Sequence, residues 1–216
     1  MTENREKREN LSKRNLNHSL LKKLKKSSLI KAISSFLNDA IVEIQQEEMK
    51  NKNKIEIRKQ IYNTQKKKEN QFSLYSVFQE EEEFTLKTKT KKEIVNNNKK
   101  EMELSLEEFF YKVVKSFNCE KSSIIICFIL IDRLISQDKK ILNFQTIKRL
   151  FLVCLILSMK VNEDFIYSMK IFSELTNLPE KVIAELELSV CLILNFKLFV
   201  SENEFINYLK NFLMLF

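Results

Sequence analysis

The chain contains no glycine and no tryptophan, and only one proline and one histidine among its 216 residues. Without glycine there is no Walker loop, no dinucleotide fingerprint and no kinase-type glycine loop, since each brings backbone without a Cβ against a phosphate. The single histidine, His18, lies in a stretch crowded with Lys and Arg. A serine or cysteine hydrolase working through a histidine base therefore has no support. The composition points away from an enzyme.

The four cysteines, Cys119, Cys127, Cys154 and Cys191, form no CxxC pair and have no histidine near them, so no metal site is expected. They sit in apolar runs such as SSIIICFILI, where a free thiol packs as a small hydrophobe. The opening MTENREKREN is charged from the start and is not a secretory signal. The apolar runs at 124–131 and 150–159 fall short of the roughly 20 residues that span a bilayer. The expectation is a reduced, soluble protein of the cytoplasm, the nucleus or both, without cofactor, small-molecule ligand or membrane partner.

Charge divides the chain. Residues 1–102 hold 24 Lys and Arg against 15 Asp and Glu, a net +9. Residues 103–216 hold 13 against 14, a net −1, and together they give the chain's +8. Residues 1–26 read as a flexible basic tail whose KKLKK cluster is either solvated or a patch for import or a polyanion. No aromatic interleaves these lysines, so sequence-specific nucleic-acid reading is not expected.

Residues 27–48 place Leu29, Ile30, Ile33, Phe36, Leu37, Ile41 and Ile44 at helical spacing behind Ser27 or Ser28 as a cap. Such a stripe has to dock on something, and Ile33, Phe36 and Leu37 are its expected contacts. Residues 49–102 are of low complexity, with Lys- and Asn-rich mobile insertions at 49–71 and 79–102 around a short apolar docking patch at 72–78. From 103 to 216 the pattern is that of a compact all-α domain. It predicts helices near 104–117, 122–137, 144–160, 165–175, 180–195 and 202–214, joined by short polar connectors.

Two charges stand out. Lys160 closes the run LFLVCLILSMK, and Glu187 lies within EKVIAELELSVCLILNF. A charge buried without a partner costs several kcal/mol, so each must reach an exposed edge or a partner.

These stretches resemble the cyclin box, most closely that of the small single-box P- and U-type cyclins related to fungal phosphate-pathway cyclins. NCEKSSIIICFILIDRLI (118–135) is similar to the family's second box helix, with its signature at Asp132 and Arg133. IKRLFLVCLILSMKVNED (147–164) resembles the third, ending in Lys160 and the acidic pair Glu163 and Asp164. LPEKVIAELELSVCLILNFKLFVSENEF (178–205) resembles the fifth helix and its exit, with Glu187 inside it. The chain departs from the family at Val161, where an aromatic is usual, at Ser168 and Met169 in the fourth helix, and at Thr176-Asn177, which replaces a Gly-Gly turn.

The resemblance implies a single five-helix cyclin box with one extra packing helix before it and one after it. It also implies a non-catalytic regulatory subunit that binds a cyclin-dependent protein kinase as a heterodimer. In that role Lys160 and Glu187 would hold the kinase's αC helix, and Glu163 and Asp164 would either meet basic residues of the kinase or start a helix. Asp132 would be an internal partner near the first helix. The alternative is a cyclin-fold adaptor in transcription that binds nucleic acid or a polymerase. The basic first half is its one support, and the near-neutral box makes a nucleic-acid partner the weaker expectation.

Overall fold

The structure, a computed structural model, describes residues 19–59 and 105–215, with the backbone alone at 51–59. Among the described residues there are helices and no strand. Helix α1 spans Lys26–Lys59. Its core stripe follows the expected spacing: Leu29, Ile30, Ile33, Leu37 and Ile41 are all buried.

Three details of the sequence reading change in this region. The tail was expected to be flexible through residue 26, yet 19–23 are helical and Leu24 is 3 % exposed. Leu20 and Leu21 pack on the core with it, and Lys121 Nζ donates to the Leu21 carbonyl at 3.0 Å. Leucines at 20, 21 and 24 form a short apolar stripe of their own, which the surrounding lysines disguise. Helix α1 also begins at Lys26, ahead of the two serines expected to cap it, and it runs on through 49–59. Glu, Lys and Gln are good helix formers, and with no Gly or Pro to stop it propagation costs little. The remaining insertions, including the patch at 72–78, lie outside the described residues.

Five helices follow, then a sixth. Helix α2, Leu106–Phe117, opens with a reciprocal capping box: Glu108 N donates to Ser105 Oγ, and Ser105 N donates to the Glu108 carboxylate. It buries Phe109, Phe110, Val113, Val114 and Phe117 and packs along α1. Helices α3, Lys121–Gln137, and α4, Ile147–Asn162, lie against each other at the centre and are buried on nearly every side. Phe110 stacks on Phe151 across the α2–α4 contact, with ring centroids 3.7 Å apart. A 3-10 turn, Lys139–Ile141, links the two central helices. Helix α5 is Met169–Thr176, α6 is Glu180–Ile193 and α7 is Glu202–Met214.

Helix α5 starts four residues later than its apolar pattern predicts. Glu163 leaves α4 in an extended conformation, and residues 163–168 cross the surface before Ser168 opens the next helix. The rings in this crossing belong to packing rather than to a helical stripe: Tyr167 meets the buried Phe172 edge-on at 6.1 Å. Without glycine, the turns fall to asparagine. Asn118, Asn177 and Asn195 all have positive φ, which Asn tolerates better than other residues with a Cβ. Phe196 shares that conformation, with φ 57°, and has no such excuse.

Three of the thiols, Cys119, Cys127 and Cys154, are core residues as expected, and Cys191 is half-buried. Burial pushes the Cys119 thiol from 9.0 up to about 12 and raises Cys127 and Cys154 as well.

Candidate partner-binding site

Lys160 sits in the last turn of α4, where the helix dipole favours a cation. Glu187 sits in the middle of α6, which packs against α4. The sequence asks each charge to reach an exposed edge or a partner. The structure makes each the other's partner: Lys160 Nζ lies 2.5 Å from Glu187 Oε1 and 2.7 Å from Oε2. Each long apolar helix thus carries one charge, and each charge answers the other, which removes the cost of an unpaired one.

The pair is asymmetric. The Glu187 side chain is 14 % exposed, and its Oε1 is shut off from water with no aligned hydrogen bond. The Lys160 side chain is 35 % exposed, so the cation is the accessible member. The ammonium also touches Met169 Sδ at 3.7 Å, which ties in the start of α5. Cys191 lies one turn beyond Glu187. Its thiol is held above its ordinary range first by burial and then by the carboxylate of Glu187.

The elements that meet at the pair also carry exposed apolar side chains. Val161 follows Lys160, Phe165 lies in the crossing to α5, Ile171 is on α5, and Leu188 and Leu192 are on α6. Phe165 is 75 % exposed. An apolar surface around one partly desolvated ion pair has the composition of a protein-binding patch.

The acidic pair does not join them. The Glu163 carboxylate accepts from Glu120 N at 2.9 Å and from Ser123 Oγ at 2.6 Å, so it caps the start of α3. Asn162 adds donors to Ser122 Oγ and Ser123 Oγ, at 2.9 and 3.1 Å. The end of α4 is thereby locked to the beginning of α3. Asp164 stays exposed beside this lock.

Asp132 and Arg133 serve the C-terminal helix. Asp132 was expected to be an internal partner near the first helix; it lies beside Ala32 and Phe36 of α1, and its Oδ2 accepts from Tyr208 Oη on α7 at 2.6 Å. The phenol is raised above its ordinary range by burial and then by this bond. Arg133 grips Glu204 with Nε and Nη2, at 3.3 and 2.6 Å. It also donates to the carbonyls of Lys197 and Phe199, at 2.8 and 3.1 Å. One guanidinium therefore fastens both the α6 exit and α7 to the central helix, a use of its planar fork that lysine could not copy. Tyr208, Glu204 and Ser123 carry no marker in the sequence, because their partners lie 40 or more positions away.

No helix among the described residues is long and apolar enough to cross a membrane. The cyclin family model matches residues 27–198, which run from the start of α1 to the exit of α6. No curated protein matches the chain.

Proposed function

The chain belongs to the cyclin family, and from that premise we propose that it is the regulatory subunit of a cyclin-dependent protein kinase. The observation that carries this reading is the partly exposed Lys160–Glu187 pair, on elements that also expose Val161, Phe165, Leu188 and Leu192. In this reading the kinase's αC helix docks on that surface and offers backbone carbonyls and polar side chains to the Lys160 ammonium. Docking presses αC inward, so that the kinase's own β3 Lys–αC Glu pair forms and the phosphates of ATP are positioned. Asp164 flanks the surface as an exposed acidic residue, while Glu163 contributes by holding the end of α4 in place. This chain supplies no catalytic group and acts in the cytoplasm or nucleus, where the kinase is found. Membership of the P- and U-type group is part of the same proposal.

The test uses the pairing itself. Exchanging the charges, with Lys160→Glu and Glu187→Lys together, preserves the internal ion pair while reversing what a partner meets. Affinity purification of tagged protein from its native cells, followed by mass spectrometry, should recover a cyclin-dependent kinase with the natural chain and lose it with the exchanged one. Equal recovery by both would refute the role of the pair. If neither recovers a kinase, the transcription-adaptor reading takes its place, and DNA binding with a steep salt dependence would support that.

A further inference from the structure

Residues 197–201 carry the chain from α6 to α7 without helix, and Lys197, Phe199 and Ser201 among them are exposed. Ser201 closes the segment as the N-cap of α7, with an extended backbone (φ −69°, ψ 154°), and its Oγ accepts from Glu204 N at 3.3 Å. Between Lys197 and Lys210 the charged residues are Glu202 and Glu204, one and three positions beyond that hydroxyl. An exposed serine followed by carboxylates at this spacing suits a protein kinase whose substrate groove is basic. Arg and Lys in such a groove bond the carboxylates directly.

The spacing alone is that of a helix cap. Ser105 and Glu108 share it, and there the serine hydroxyl is already given to the carboxylate at 3.0 Å. Ser201 differs in the cation that spans its position. Arg133 Nη2 donates to the Phe199 carbonyl at 3.1 Å, two residues before Ser201, and to Glu204 Oε2 at 2.6 Å, three residues after it. The Arg133 side chain is 24 % exposed and that of Glu204 31 %, so this corner is open to solvent. One guanidinium therefore stands within reach of an anion built on the serine, and its present anionic partner is a single carboxylate.

We propose that Ser201 is a phosphorylation site for an acidophilic protein kinase, and that Arg133 holds the phosphate in place of Glu204. In the transfer, Ser201 Oγ bonds the γ-phosphorus of a nucleoside triphosphate as the bond from that phosphorus to the β,γ-bridging oxygen breaks. The nucleoside diphosphate leaves, and the hydroxyl proton passes to a base of the modifying enzyme. The product carries about −1.5 to −2 charges and three acceptor oxygens. It outbids the single charge of Glu204 for a planar fork of donors, and Glu204, now beside a like charge, turns to solvent. Arg133 keeps its bonds to the Lys197 and Phe199 carbonyls, so one anion replaces another without freeing the segment. The site does not depend on whether the Lys160–Glu187 surface holds a kinase.

The probe is casein kinase II with ATP, applied to the full folded chain, with phosphopeptide mapping by mass spectrometry. Ser201 should take phosphate, and Glu204→Gln should slow its modification about tenfold, as expected for loss of a charge-assisted contact to the probe enzyme. Phosphorus NMR on the modified chain then tests the role of Arg133. The phosphate of the chain in urea loses its last proton near pH ~6, and in the folded chain it should do so about 0.5 lower. The direction is downward because the guanidinium favours the dianion and outweighs Glu202 and Glu204, which oppose it; Lys197 acts with the guanidinium. Arg133→Gln, with its fold checked by circular dichroism, should move the titration upward. Absence of phosphate from Ser201 overturns the proposal. So does a phosphate that titrates in the natural folded chain at or above its pH in urea, a comparison that needs no variant, or one that Arg133→Gln leaves unmoved.

Discussion

Replacing Lys160 with methionine should destabilise the protein by about 1–2 kcal/mol, and by more than replacing Glu187 with glutamine. The order follows from how the two charges sit. Removing the lysine strands a carboxylate that is 14 % exposed and has one oxygen shut off from water. Breaking a fully buried pair in this way costs about 3–5 kcal/mol, whereas an exposed pair contributes about 0.2–1 kcal/mol. The lysine end is one-third exposed, so water partly screens the pair and the cost falls between those limits. Removing the carboxylate leaves an ammonium on a flexible stem already close to the surface, and it can turn outward for well under 1 kcal/mol. The double variant Lys160→Met, Glu187→Leu should lie near the natural chain, because two apolar groups replace two charges that were desolvated for each other. Urea unfolding followed by far-UV circular dichroism, with the slope checked for constancy across variants, gives all three differences and the coupling between the residues. A cost below about 0.5 kcal/mol for Lys160→Met, or a larger cost for Glu187→Gln, would refute the asymmetry derived from the burial of the two groups.

Three further outcomes follow from the same geometry. Arg133→Leu removes a carboxylate grip and two carbonyl bonds, each contributing about 1 kcal/mol or less after exchange with water, so a loss of about 2 kcal/mol and a fall in Tm of roughly 4–8 °C are expected; an unchanged Tm would mean that α7 is held by its apolar face alone. Glu163→Ala uncaps α3 and should cost about 1 kcal/mol in urea unfolding, with helix content kept; an unchanged midpoint would count against the cap. Folding raises the Cys119 thiol from 9.0 to about 12, so the folded state keeps a proton that the unfolded chain releases. The stability this group confers is whole below pH 9 and is lost as pH climbs toward 12. Cys119→Ala should therefore flatten the alkaline fall in the unfolding midpoint, and parallel curves for the two proteins would contradict the assignment.

The parts of this fold legible in the sequence are those governed by nearest-neighbour periodicity. The apolar runs at 124–131 and 150–159 could only be central helices, and they form the middle of α3 and α4. The helix expected near 180–195 is α6, which opens behind Pro179, and Asn177 just ahead of it is in the left-handed conformation. Errors arose where a local pattern had two meanings. FIYSMKIFSEL scans as a helix from Phe165, but tertiary packing of Tyr167 and the capping duty of Glu163 hold its first residues extended. MKNKNKIEIRK scans as polar and aperiodic, yet a polar segment without Gly or Pro can extend a helix that is already anchored. Phe36 shows the limit of the pattern most clearly. It sits between Ile33 and Leu37 in the stripe, yet both neighbours are buried and it is half in water. A stripe shows which side of a helix is apolar, but not how far the opposing helices reach around it.

The site was legible as two anomalies and illegible as a pair, and the difference bears on how a partner would engage it. Lys160 and Glu187 are 27 positions apart, so no local spacing connects them; only the packing of α4 on α6 does. Had the two charges pointed separately into solvent, each would lose its rotamer freedom on binding, at about 0.5–1.5 kcal/mol per long side chain. Joined, they have already lost it during folding. Glu187 fixes the lysine from below, through an oxygen that water does not reach, and leaves the upper side of the ammonium exposed. An ammonium has three donors, and the contacts seen here are the two Glu187 oxygens and the Met169 sulfur. A thioether is a weak acceptor, so a partner carbonyl can displace it at small cost without disturbing the ion pair. A partner docking here as proposed would therefore meet a cation already oriented by the fold, and the buried carboxylate would keep its counter-charge throughout. The pair would not have to open in order to bind.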